Sequence, residues 1–213
     1  MKVAAVLSCL FMTLATNSVA REIDSYIYRH FGVVGMEKRI GSGGVSRWDR
    51  IFRNHSQNLQ GQQNCLAQSA WCRWQQLLSS LRGKEKSEQM SAVNQFVTTV
   101  RFISDQNNYG MKDYWATPRE FFRRGGDCED FAIAKYLSLL HLGWRAQDLR
   151  LLVGYDMREA SDHALLLARV KGRWYVLDNL TNKIAMQRER GQFTPYYALS
   201  YRSVVWWDYR EHK

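Results

Sequence analysis

Three residues of this 213-residue chain have the types and settings for acyl-transfer chemistry: Cys128, His163 and Asp178. Cys128 follows Arg124-Gly125-Gly126-Asp127 and precedes Glu129-Asp130-Phe131-Ala132-Ile133-Ala134-Lys135. Paired glycines mark a tight or left-handed backbone, and aspartate is a good N-cap type. Phe131, Ala134, Leu137 and Leu140 then recur at helical spacing. The pattern predicts a buried helix with Cys128 in its first turn. A thiol there lies near unpaired backbone N–H groups and the positive end of the helix dipole. Both favour the thiolate, the form that attacks carbonyls. A buried, inert structural cysteine is the alternative for such a residue taken alone.

His163 and Asp178 flank a predicted hairpin. Ala164–Val170 and Trp174–Leu177 are short apolar runs, and Lys171-Gly172 joins them as a two-residue turn. Val170 then faces Arg173, and Asp178 falls opposite Leu165. His163 points to the same face as Leu165, on the diagonal from Asp178, ~7–8 Å between backbones. One hydrogen bond can close that gap. The aspartate would fix the imidazole tautomer and the other ring nitrogen would face a nucleophile. A three-residue loop would reverse the parity and separate the pair. The competing reading makes His163 a strand-end surface residue and Asp178 the start of a turn with Asn179.

The elements that must position these residues divide the chain into helices first and strands second. One apolar stripe runs through Val45, Trp48, Ile51, Phe52, His55 and Leu59, with His55 as a core or rim residue. A second runs from Leu66 through Ala70, Trp71, Trp74, Leu77 and Leu78 to Leu81. Ser87 is placed as the cap of a third, which carries Met90, Val93, Phe96, Val97, Val100 and Ile103. Thr117-Pro118-Arg119-Glu120 reads as a capping box with proline at N1. The helix bearing Cys128 should stop at Gly143. Leu149–Tyr155 and Ser203–Trp207 complete the predicted strands. The order implies an α+β domain with an antiparallel sheet. The Gly41-Ser42-Gly43-Gly44 run lacks the context of a phosphate loop and reads as a turn.

Residues 1–20 read as a secretory signal peptide, with Lys2 ahead of an apolar run and a small-x-small site ending at Ala20. The run is too short for a comfortable membrane span. Cleavage would leave residues 21–213 as one domain of 193 residues, with no transmembrane segment and a net charge of +9 once Lys2 is gone. That charge suits an acidic protein partner or an anionic membrane surface. Export argues against nucleic acid. Cys65 and Cys72 would stand ~10 Å apart on one helix, too far for a disulfide. They are expected unpaired unless the helix begins after Cys65.

Gly126-Asp127-Cys128-Glu129-Asp130-Phe131-Ala132-Ile133-Ala134-Lys135, Asp162-His163, Leu177-Asp178-Asn179 and the upstream Tyr114-Trp115-Ala116-Thr117-Pro118 resemble the bacterial transglutaminase-like cysteine proteinases, above all the LapG-type periplasmic proteases. The resemblance implies a papain/transglutaminase-like fold with Cys128, His163 and Asp178 as a catalytic triad. It implies cleavage of the N-terminal region of a large repeat adhesin at a dialanine-type site, which releases the adhesin and disperses a biofilm. The implied inhibitor is the periplasmic domain of an inner-membrane cyclic-di-GMP receptor. A calcium ion is implied beside the cysteine, held by Asp127, Glu129 and Asp130 and by backbone carbonyls near Asn108.

Three carboxylates close in sequence do suit a hard cation. Helix capping by Asp127, with Glu129 and Asp130 facing the dipole, is the other reading. Uncompensated, these charges would raise the Cys128 pKa. Two other function classes fit the same residues: a transglutaminase or cell-wall amidase, and a catalytically inactive binding module. An intact Cys, His and Asp argues against the last. The Cys128 backbone N–H is a candidate oxyanion donor, with Trp115 as a neighbour.

Overall fold

The apolar stripes of the N-terminal half become helices. The computed structural model describes residues 46–60, 68–185, 192–200 and 203–206. The expected signal peptide, the Gly41–Gly44 run, Val45, Cys65, Leu66 and Trp207 lie outside the described residues. Helix α1 (Ser46–Gln60) buries Trp48, Ile51 and His55. Helix α2 (Ala70–Leu81) starts behind Ser69, whose Oγ accepts the Cys72 N–H at 3.2 Å. The helix therefore begins after Cys65, and the spacing argument against a disulfide lapses. Cys72 is disulfide-bonded and Cys128 is a free thiol.

Helix α3 (Lys86–Thr98) begins two residues earlier than a Ser87 cap would allow. Glu85 is its N-cap, and Ser87 lies inside the first turn. The helix also ends before Val100 and Ile103. Ile103 leaves it to pair with the chain ahead of Cys128, donating its N–H to the Gly126 carbonyl at 2.9 Å. After the short α4 (Asp105–Tyr109), helix α5 (Pro118–Arg124) opens on the expected capping box. The Thr117 N–H donates to Glu120 Oε2 at 2.8 Å, and the Glu120 N–H donates to Thr117 Oγ1 at 3.4 Å.

Helix α6 (Cys128–His141) is the centre of the core. Its residues from Asp130 to Leu139 are buried without a break. It packs against α3, α5 and the sheet. Trp48 meets Tyr136 edge-on with ring centroids 5.1 Å apart, and Trp74 Nε1 donates to Ser138 Oγ at 2.8 Å. Truncating a tryptophan in such a core costs about 3–5 kcal/mol.

The described residues form one antiparallel sheet in the order β3-β2-β1-β4-β5. Its strands are β1 (Leu149–Asp156), β2 (Ser161–Val170), β3 (Arg173–Leu177), β4 (Phe193–Ser200) and β5 (Ser203–Trp206). Lys171 and Gly172 both have positive φ, 49° and 76°, as a type I′ turn requires. Val170 pairs with Arg173 and Leu166 with Leu177, the register read from the two-residue loop. Strand β4 escaped the sequence reading because Pro195 interrupts it. A proline is tolerated within a sheet at a bulge, and the β1–β4 register shifts between Val153 and Gly154. Among the described residues, no helix is long and apolar enough to cross a membrane.

Candidate active site

The turn before α6 is shaped by its two glycines. Gly125 has φ 84°, and a Cβ there would strike the Arg101 carbonyl oxygen. A Cβ on Gly126 would lie 2.7 Å from Asp130 Cβ. The tight turn lets Asp130 fold back under the start of α6 and leaves Cys128 at the helix head. Asp127 occupies the N-cap position but makes no side-chain cap. Its Oδ2 instead accepts the Asp105 N–H at 3.2 Å. Asn108 Nδ2 braces the same turn through the Gly125 carbonyl at 3.2 Å.

The structure brings two of the three candidate residues into direct contact. His163 Nε2 and Asp178 Oδ1 are 2.9 Å apart, and both side chains are buried. Asp178 Oδ1 also accepts the Leu180 N–H at 3.1 Å, which fixes the carboxylate. Cys128 and His163 lie in the wall of one cavity of about 940 Å3, together with Trp115, Glu129, Ala164 and Tyr196.

At the thiol, burial and the neighbouring carboxylates work against the helix dipole, the direction expected of uncompensated charges beside Cys128. Burial pushes the Cys128 thiol up, and the Glu129 charge and hydrogen bond push it the same way. Sγ donates to Glu129 Oε2 at 3.2 Å. Asp127 adds to the rise, and the Ala164 backbone N–H opposes it.

The acidic residues form a wider cluster than the motif alone indicated. Carboxylate oxygens of Asp105, Asp127 and Asp130 lie within 4.8 Å of one another, as do those of Asp105, Asp113 and Glu129. Asp105 Oδ1, Asp127 Oδ1 and Asp130 Oδ2 are buried without a hydrogen-bond partner among the described residues. Burial, reinforced by the Asp127 and Asp113 charges, raises Asp105 to about 6 against the Tyr114 N–H. Burial and Asp127 raise Glu129 to about 8. Asp130 is also held well above the usual carboxylate range, by burial first and then by Glu129.

Crowded, buried, partly unbonded carboxylate oxygens fit a hard cation with oxygen ligands. They do not fit simple capping. Asp105 had no signal in the sequence. It reaches the cluster because residues 101–103 run alongside Gly126, a pairing that local pattern does not encode. Asp113 is likewise distant in sequence and is ion-paired with Arg47 at the cavity rim.

Comparison with known proteins agrees with this architecture. The family of bacterial transglutaminase-like cysteine proteinases matches residues 53–210, which include Cys128, His163, Asp178 and the acidic cluster. No curated protein matches the chain. Calcium-bound LapG of Legionella pneumophila is 26% identical, with a TM-score of 0.60 over 75% of this chain and 87% of that one. EGTA-treated LapG of the same organism is 25% identical, with a TM-score of 0.60 over 79% and 89%. Helices packed on an antiparallel sheet, with a cysteine heading the central helix, make the transglutaminase-like cysteine protease fold. The chain belongs to the bacterial transglutaminase-like cysteine proteinases.

Proposed function

We propose that this protein is a periplasmic, calcium-dependent cysteine endopeptidase with Cys128, His163 and Asp178 as its triad. Its substrate is the N-terminal region of a large surface adhesin, cut at a dialanine-type site to release the adhesin and disperse a biofilm. The periplasmic domain of an inner-membrane cyclic-di-GMP receptor is its inhibitor. The observation that carries the reading is the buried 2.9 Å His163–Asp178 contact beside a cavity shared with a free cysteine. The similarity to calcium-bound LapG supports the calcium site; substrate and receptor follow from the family resemblance of the cysteine, histidine and aspartate motifs. The +9 charge left after removal of residues 1–20 suits an acidic adhesin.

Asp178 holds His163 at Nε2, and Nδ1 is the ring nitrogen assigned to the thiol. Sγ of Cys128 adds to the peptide carbonyl carbon while Nδ1 takes the thiol proton. The same nitrogen gives that proton to the leaving amine as the C–N bond breaks, leaving a thioester on Sγ. Water, deprotonated by Nδ1, then adds to the thioester; the C–S bond breaks and the thiol is restored. The Cys128 N–H at the open helix head can donate to the oxyanion. Asp105, Asp127, Glu129 and Asp130 would hold calcium, whose charge offsets the carboxylates that keep the thiol protonated.

The test is incubation of the purified chain from Arg21 onward with the N-terminal region of its host's large adhesin, followed by mass-spectrometric mapping of the cut. Cys128→Ala should remove cleavage and keep the melting temperature. Uncut adhesin, or undiminished cleavage by Cys128→Ala, overturns the reading. New amine–acyl cross-links in place of a cut would indicate a transglutaminase.

A further inference from the structure

Strand β4 carries one residue more than its partner needs. Val153 pairs with Tyr197 and Gly154 with Pro195, so Tyr196 is the extra residue of a β-bulge. Pro195 has no N–H to give the ladder. Gly154 permits a backbone approach that a side chain would block: a Cβ there would lie 2.6 Å from Phe193 Cε1 and 2.7 Å from Pro195 Cα.

The bulge re-aims a side chain. In a regular strand, Tyr196 and Tyr197 would point to opposite faces. Here both line the cavity that holds Cys128 and His163. The Tyr196 hydroxyl donates to Asp162 Oδ1 at 2.9 Å, and Asp162 immediately precedes His163. The ring is tethered at its backbone end by the bulge and at its hydroxyl end by Asp162. It is nevertheless 36% exposed, facing the cavity where a substrate would lie. Trp115, Met111 and Tyr197 line the same cavity.

We propose that Tyr196 is a specificity-determining residue, its doubly tethered ring forming a fixed wall beside Cys128 that excludes bulky side chains next to the scissile bond. The proposal rests on the endopeptidase reading of the cavity. The Tyr196–Asp162 hydrogen bond raises the cost of swinging the ring aside for a larger group, so the ring discriminates by size. Pocket size of this kind typically changes kcat/KM by about 10–200-fold for a single methylene.

The experiment compares wild type, Tyr196→Ala, Tyr196→Phe and Asp162→Ala. Each is incubated with a peptide library made by digesting a whole proteome, and the new termini are identified by mass spectrometry. Values of kcat/KM are then measured on paired peptides with alanine or leucine at the residue flanking the cut. Tyr196→Ala should raise the leucine-to-alanine ratio about tenfold or more. Tyr196→Phe and Asp162→Ala keep the ring but free its end, so they should raise the ratio less. Melting curves identify the variants that fold. An unmoved ratio in folded Tyr196→Ala overturns the role of Tyr196; should that variant not fold, an unmoved ratio in both milder variants does so. A wild type that cuts no peptide overturns the endopeptidase reading, and this one with it.

Discussion

His163 Nε2 and Asp178 Oδ1 meet at 2.9 Å across a hairpin joined by Lys171 and Gly172. The two-residue turn sets this meeting. Leu166 pairs with Leu177, so Asp178 is the first residue beyond the β2–β3 ladder and His163 lies diagonally from it. Both are buried, where a hydrogen bond to a charged partner is worth more than at the surface.

Residues that act as one unit should not lose activity independently. His163→Ala should lower kcat by about six orders of magnitude. Asp178→Asn keeps the shape but mis-sets the tautomer, and should cost somewhat less. The double variant should be little worse than His163→Ala alone. Steady-state kinetics on the cleaved peptide measure all three. Losses that multiply would mean that the two residues do not work together.

The same contact shows what the sequence could reveal. A Lys-Gly turn between two apolar runs fixes register, and register fixes which side chains share a face. The capping box at Thr117–Glu120 was legible for the same reason, because its chemistry is local. What needed non-local packing was not legible. Asp105 joins Asp127 only through pairing of residues 101–103 with Gly126. Strand β4 was hidden by Pro195, whose place at a bulge depends on Gly154 in another strand. The upward push on the Cys128 thiol comes from burial and from where Glu129 points, and helix periodicity fixes neither.

The acidic cluster should make stability depend on calcium and pH together. Folding raises Asp105 to about 6 and Glu129 to about 8, both above their ordinary values. Groups raised in this way bind more protons folded than unfolded. The stability they allow is present below about pH 4 and is lost as pH rises through those values. In EGTA, the melting temperature should therefore fall between about pH 5 and 8. Calcium should flatten that slope and raise the melting temperature, by about 2.7 kcal/mol of stability at a hundredfold excess over Kd. Magnesium should rescue poorly, since it demands a tighter octahedral shell. Asp105→Ala, chosen because it lies outside the cysteine motif, should abolish the calcium response, and so should Asp127→Ala. Calorimetry with and without calcium decides it. An unchanged melting temperature in wild type would falsify the metal site.

Lys135 offers a test of the core that is independent of the catalytic groups. It lies on α6 with its side chain fully buried, and Nζ has no hydrogen-bond partner among the described residues. Burial pushes its pKa down from 10.5 to about 7. The unfolded chain therefore binds a proton between about pH 7 and 10.5 that the folded chain does not. By linkage, the lysine costs nothing above about pH 10.5; its cost grows as pH falls and becomes constant below about pH 7. Lys135→Met keeps the length, the helix propensity and the apolar packing, and it removes the titration. The variant should be more stable than wild type at pH 6–7, by an amount on the order of a few kcal/mol. The gap should close steadily toward pH 10. Denaturant melts of both proteins at fixed calcium, from pH 6 to 10, give that gap directly. A gap that is negative at pH 6 and shrinks upward would show instead that the ammonium is charged and paired inside the fold.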